Sequence, residues 1–119
     1  MIVDDDPDIL RILEYIFQKQ EIQTISLEKG NACLEWLQAN ETALPDLIIL
    51  DCHLPDISGL LVLEQIKKKF RNAPPVLILS ALSQEENMVE AYKLGASEYI
   101  TKPFVMSILI EKSLRLLSK

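Results

Sequence analysis

Short apolar runs alternate along this chain with longer stretches whose apolar residues recur at helical spacing. The run "MIV" (1–3) precedes "PDILRILEYIFQKQ" (7–20), where Ile9, Leu10, Ile12, Leu13, Ile16 and Phe17 follow the i, i+3, i+4 period of a helix with one buried side. "IQTIS" (22–26) predicts a second strand, and "EKGNACLEWLQAN" (28–40) a second helix carrying Ala32, Cys33, Leu34, Trp36 and Leu37. "PDLIILD" (45–51) and "PPVLILS" (74–80) are unbroken apolar runs, the pattern of strands covered on both faces. Between them, "SGLLVLEQIKKKF" (58–70) predicts a helix capped by Ser58, with Leu61, Leu63, Ile66 and Phe70 in its buried stripe. "QEENMVEAYKLG" (84–95) ends on Gly95, a natural residue just past a helix. "SEYIT" (97–101) and "FVMSILIEKSLRLLS" (104–118) supply the last strand and helix. Asp6 suits the N-cap of the first helix, with Pro7 in its first turn.

Strand then helix, five times over, predicts an α/β fold: a parallel sheet with helices on both faces and right-handed crossovers. The 119 residues suit a single domain, 1–119. Hydrophobic residues make up 49% and charged residues 25%, enough apolar matter for a core. The formal net charge of −6 argues against direct binding of nucleic acid or an anionic membrane surface, since both need a basic face. The apolar runs fall far short of the ~20 residues of a membrane span, and no export signal precedes the fold. Cys33 and Cys52 make no disulfide framework; a cytoplasmic location is expected.

In such a sheet, function collects at the carboxyl ends of the strands. The first predicted strand ends at Asp4 and Asp5, the third at Asp51, the fourth at Ser80, and the fifth is followed by Lys102 and Pro103. The second ends at Ser26 before an ordinary helix start. Three carboxylates facing one ammonium leave an excess of negative charge suited to a hard divalent cation, Mg²⁺ above all. An oxygen-rich Mg²⁺ site with a lysine and a hydroxyl suits phosphoryl transfer. Asp51, at the end of the central strand, is the candidate nucleophile.

These residues lie in four separated motifs: "VDDD" (3–6), "LIILDCHLPDISG" (47–59), "LILSA" (77–81) and "YITKPF" (99–104). In that order and spacing they resemble the receiver domain of bacterial two-component response regulators over essentially the whole chain. The resemblance implies a doubly wound, flavodoxin-like sheet of five strands in order 2-1-3-4-5 with five flanking helices. It implies that Asp51 is the phospho-acceptor and that Asp5 binds Mg²⁺ directly, with Asp4 acting through water. The backbone carbonyl of His53 would be a further metal ligand. Ser80 would be the switch hydroxyl beside the small residue Ala81, Tyr99 the aromatic switch, and Lys102 the partner of the phosphoryl oxygens before a cis proline. The implied role is a phosphoprotein of a two-component phosphorelay, not a metabolic enzyme: it would catalyse only its own phosphorylation and dephosphorylation. A sensor histidine kinase or phosphotransfer protein would donate the phosphoryl group. The signal would leave through the face of helix four, strand five and helix five.

Two positions depart from the usual pattern, His53 and Leu82, and both are expected to bear on phosphate lifetime. The first strand is also short. The final helix carries more apolar residues than one stripe needs, which points to a homodimer or output domain on that face. The alternative from another class is a Mg²⁺-dependent phosphohydrolase with an aspartate nucleophile. Such enzymes usually carry an acid two residues after the nucleophile, where this chain has His53.

Overall fold

A computed structural model describes residues 1–81 and 85–118. Its strands are β1 (Ile2–Val3), β2 (Ser26–Leu27), β3 (Ile48–Asp51), β4 (Val76–Ser80) and β5 (Glu98–Thr101). The helices are α1 (Pro7–Lys19), α2 (Gly30–Ala39), α3 (Gly59–Lys69), α4 (Glu85–Lys93) and α5 (Met106–Leu117). The strands form one parallel sheet in the order β2-β1-β3-β4-β5, as the resemblance implies.

Each central strand is apolar up to its last residue because each of its faces has a layer of helices to meet. Successive side chains alternate across a strand. In β3 and β4, Ile48, Leu50, Val76 and Ile78 therefore pack with Cys33 and Leu37 of α2, Val62, Leu63 and Ile66 of α3, and Ala91 of α4. Ile49, Leu77 and Leu79 point the other way, onto Leu10, Leu13, Ile16 and Phe17 of α1 and Leu109 of α5. Trp36 is partly buried against the α2–α3 side.

The expected caps are in place. Asp6 accepts from the Asp8 amide at 2.9 Å, with Pro7 in the first turn of α1. Ser58 accepts from the Leu60 amide at 3.2 Å and starts α3. Gly95 has φ +108°, a left-handed conformation that favours glycine.

Two expectations need correction. Strand two is Ser26–Leu27 rather than residues 22–26. Its neighbour in the sheet, β1, offers two residues, so pairing starts where the Ile2 amide donates to the Ile25 carbonyl and ends where the Asp4 amide donates to the Leu27 carbonyl. Leu61 lies outside the buried stripe of α3 and is 44% exposed, while Val62 is fully buried. Positions 61 and 63 stand two residues apart, on opposite sides of a helix, so they cannot share one face.

The Ser113 hydroxyl on α5 is buried and has no hydrogen-bond partner among the described residues. A buried donor left unpaired carries its full desolvation cost. Ser113→Ala is therefore expected to raise stability by about 1 kcal/mol, or about 4 °C in Tm for a domain of this size. Thermal and urea denaturation check this; an unchanged or lowered Tm contradicts it.

Candidate functional site

The register of the sheet assembles the site. Ile2 stands beside Ile49 and Val3 beside Leu50, so the next step in each chain sets Asp4 beside Asp51. On the far edge, Ser80 pairs with Thr101, and the Lys102 amide donates to the Ser80 carbonyl at 2.7 Å. By strand alternation, Asp4, Asp51 and Lys102 fall in step with Ile2, Ile49 and Ile100, on the α1–α5 side. Ser80, Cys52 and Tyr99 fall in step with the other side.

The side chains meet accordingly. Lys102 Nζ lies 2.8 Å from Asp4 Oδ2 and 3.3 Å from Asp51 Oδ1. Asp4 and Asp51 are both buried, whereas Asp5 is exposed. Asp4 Oδ1 also accepts from the Asp6 amide at 2.9 Å, which holds the turn into α1. Asp4, Asp5 and Asp51 each bring a carboxylate oxygen within 4.8 Å of the others. The Lys102–Pro103 peptide bond is cis.

Charge is unbalanced here. Burial raises the Asp51 pKa and the Asp4 charge raises it further; Lys102 and the His53 amide, which hydrogen-bonds the carboxylate, offset this only in part. Burial works to lower the pKa of Lys102, but the hydrogen bond to Asp4 and the charge of Asp51 outweigh it and hold the ammonium above its usual range. Three clustered carboxylates with one ammonium fit a hard divalent cation with oxygen ligands.

Ser80 closes β4 and is fully buried. Its hydroxyl works against the upward pKa shift that burial gives Tyr99 and Cys52. Tyr99 is turned inward and only 6% exposed. Ser80 and Tyr99 are thus brought together, across the sheet from the acidic cluster. His53 has an exposed side chain and meets the acidic cluster through its backbone. Leu82 lies outside the described residues.

The loop that joins β3 to α3 holds two residues that the motif reading did not single out. A Cβ on Gly59 would collide with the carbonyl oxygen of Asp51, so no side chain fits there. The Gly59 amide donates to the Cys52 carbonyl at 2.8 Å, and His53 and Ser58 form an antiparallel bridge. Asp56 accepts from the amides of Gly30 and Asn31 at 2.9 and 2.8 Å. The signal for Asp56 was faint: the residue before α2 is Lys29, which supplies no side-chain cap, so the cap had to come from elsewhere.

Comparison with known proteins gives this arrangement its family. The family model described as "Response regulator receiver domain" matches residues 1–113. The chain belongs to the response regulator receiver domain family. The "Alkaline phosphatase synthesis transcriptional regulatory protein PhoP" of Bacillus subtilis is 36% identical over 104 residues, which are 87% of this chain and 42% of that protein. The chain thus spans less than half of that relative. The receiver domain of the Francisella response regulator 1452 is 33% identical with a TM-score of 0.88, covering 98% of this chain and 93% of that one. The BeF3-activated DrrB receiver domain is 31% identical with a TM-score of 0.86, covering 99% and 95%. This receiver domain therefore serves phosphorylation-dependent signalling, and the family does not favour the phosphohydrolase alternative. Among the described residues, no helix is long and apolar enough to cross a membrane.

The raised pKa of Asp51 has a consequence for stability. Its folded pKa lies above the ordinary 3.8, so the folded chain binds the proton more tightly than the unfolded one. The stability this group contributes is present at low pH and lost as pH rises through the folded pKa. Without metal, Asp51→Asn should therefore have a higher Tm than wild type at neutral pH, and the difference should shrink toward pH 4. Melting curves across pH in EDTA check this; a variant less stable than wild type at neutral pH contradicts it.

Proposed function

We propose that this receiver domain accepts a phosphoryl group on Asp51 from a phosphohistidine of a sensor histidine kinase or phosphotransfer protein. The observation that carries the reading is the meeting of Asp4, Asp5, Asp51 and Lys102 in one pocket, delivered by three separate strands. An Asp51 carboxylate oxygen attacks phosphorus, and the P–N bond breaks. The histidine nitrogen leaves with the bonding pair, taking up a proton. No general base is needed, since the ionised carboxylate is already a nucleophile. Lys102 exchanges part of its contact with Asp51 for a phosphoryl oxygen while Asp4 keeps the ammonium in place. Mg²⁺, held by Asp5 and Asp51, by Asp4 through water, and by the His53 carbonyl, would neutralise the charge spread over the phosphoryl oxygens.

Ser80 and Tyr99 act as the readout. A phosphoryl group on Asp51 offers the Ser80 hydroxyl a strong anionic acceptor. A shift of that hydroxyl changes the partner of Tyr99 and biases the face of α4, β5 and α5. That face exposes Val89 and Tyr92 on α4, and Val105, Met106 and Ile108 at the start of α5, which suits a homodimer contact or an output domain. The BeF3-activated state of the DrrB receiver domain supports a switch of this kind. The free thiols Cys33 and Cys52 accord with a reducing cytoplasm.

Two experiments test the reading. Incubation with acetyl phosphate and Mg²⁺ should give one phosphoryl adduct by intact mass, absent in Asp51→Asn and formed about 100-fold more slowly in Lys102→Ala. Repeated turnover of a small phosphoester with no stable adduct would instead identify a hydrolase. Mg²⁺ at 100 times its Kd should stabilise the fold by about 2.7 kcal/mol; a Tm indifferent to Mg²⁺ contradicts the assigned site.

A further inference from the structure

The loop between β3 and α3 brings the backbone of Cys52 and His53 to the acidic pocket, and three contacts within it set its shape: the His53–Ser58 bridge, the Gly59–Cys52 hydrogen bond and the Ser58 cap. A fourth contact leaves the loop altogether. Both oxygens of Asp56 take amides at the start of α2, from Gly30 at 2.9 Å and Asn31 at 2.8 Å. Helix α2 has no cap of its own, because Lys29 stands at its N-cap with an extended backbone and no side-chain bond. The two elements are also in van der Waals contact. A Cβ on Gly30 would lie 2.6 Å from Ile57 and 2.8 Å from Val62, so α2 seats directly on the loop and on α3 behind it.

A two-oxygen clasp between an anion and the free amides of a helix start is a charge-assisted contact with defined direction. It fixes the outer turn of the loop to an element that is itself buried against the sheet through Cys33 and Leu37. We propose that Asp56 is a positioning residue, whose carboxylate ties the loop to the amino end of α2 and so holds the backbone of Cys52 and His53 in place beside Asp51. The inference rests on the receiver reading of this pocket and goes beyond it, by giving α2 a part in the geometry of phosphorylation. Outer groups that orient metal ligands typically change affinity by about 10-fold or more when removed, and the same scale is expected here.

The test must separate positioning from simple helix capping. Asp56→Ala removes both roles, and Lys29→Ser gives α2 a cap of its own without touching the loop. In the double variant Lys29→Ser/Asp56→Ala, the Tm should return toward wild type while Mg²⁺ binding, measured by calorimetry, stays about 10-fold weaker. Amide exchange across residues 52–58 should stay faster than in wild type. Asp56→Asn, which keeps one acceptor, should fall between, and Lys29→Ser alone should bind Mg²⁺ as wild type does. A double variant or Asn variant that binds Mg²⁺ and exchanges in the loop like wild type would overturn the proposal and leave Asp56 a helix cap only. Failure of the wild-type chain to bind Mg²⁺ or take up a phosphoryl group would overturn the receiver reading instead. Loop exchange reports the tether in the absence of metal, so the two failures are distinguishable.

Discussion

The half-buried ammonium of Lys102, shared between Asp4 and Asp51, is the contact on which the rest of the molecule turns. Charges taken out of water destabilise a fold unless they are paired and hydrogen-bonded. Asp4 satisfies that condition: one oxygen meets Lys102 and the other the Asp6 amide. Asp51 satisfies it less well, with a longer contact to Lys102, and its carboxylate is held above the ordinary range. Asp51 is thus the member of the pair with unmet demand for positive charge.

The sheet sets the acidic cluster on one side and Ser80 and Tyr99 on the other, one residue apart along β4. Along β4, Leu79 belongs to the side that holds α1 and α5, and Ser80 falls in step with the other. The acidic cluster occupies the first side and the Ser80, Tyr99 and Cys52 contacts the second. Both are tied to the same backbone, through the Cys52 amide on Leu79 and the Lys102 amide on Ser80. A packed interior transmits a change of side-chain position instead of absorbing it, so a rearrangement at the end of β4 has a short physical route to β5 and the outer face of α4.

The loop after β3 shows how closely the backbone is fitted around Asp51. Gly59 leaves no room for a side chain against the carbonyl of Asp51, and Gly30 leaves little against Ile57. These are two of the chain's three glycines. Both serve close packing around one loop, while the third, Gly95, ends α4 in a left-handed conformation.

Much of this was written in local pattern. Alternation of strand and helix specified the layers, because apolar runs with helices on either side have few other ways to be covered. Asp4, Asp51, Ser80 and Lys102 were legible because each sits at or just past the end of such a run, and parallel strands bring those ends to one rim. The helix starts at Asp6 and Ser58 were legible because a cap is a contact within a few residues. What the tertiary structure alone decided depends on partners distant in the chain. The extent of β2 follows from how much of β1 is there to pair with it, and Asp56 finds its amides 25 and 26 residues away. The resemblance pointed to Tyr99 as an aromatic switch, whereas its inward position follows from the core on which it packs. A sequence records which groups a chain carries and their local period, whereas the sharing of one ammonium by two carboxylates exists only once the strands are in register.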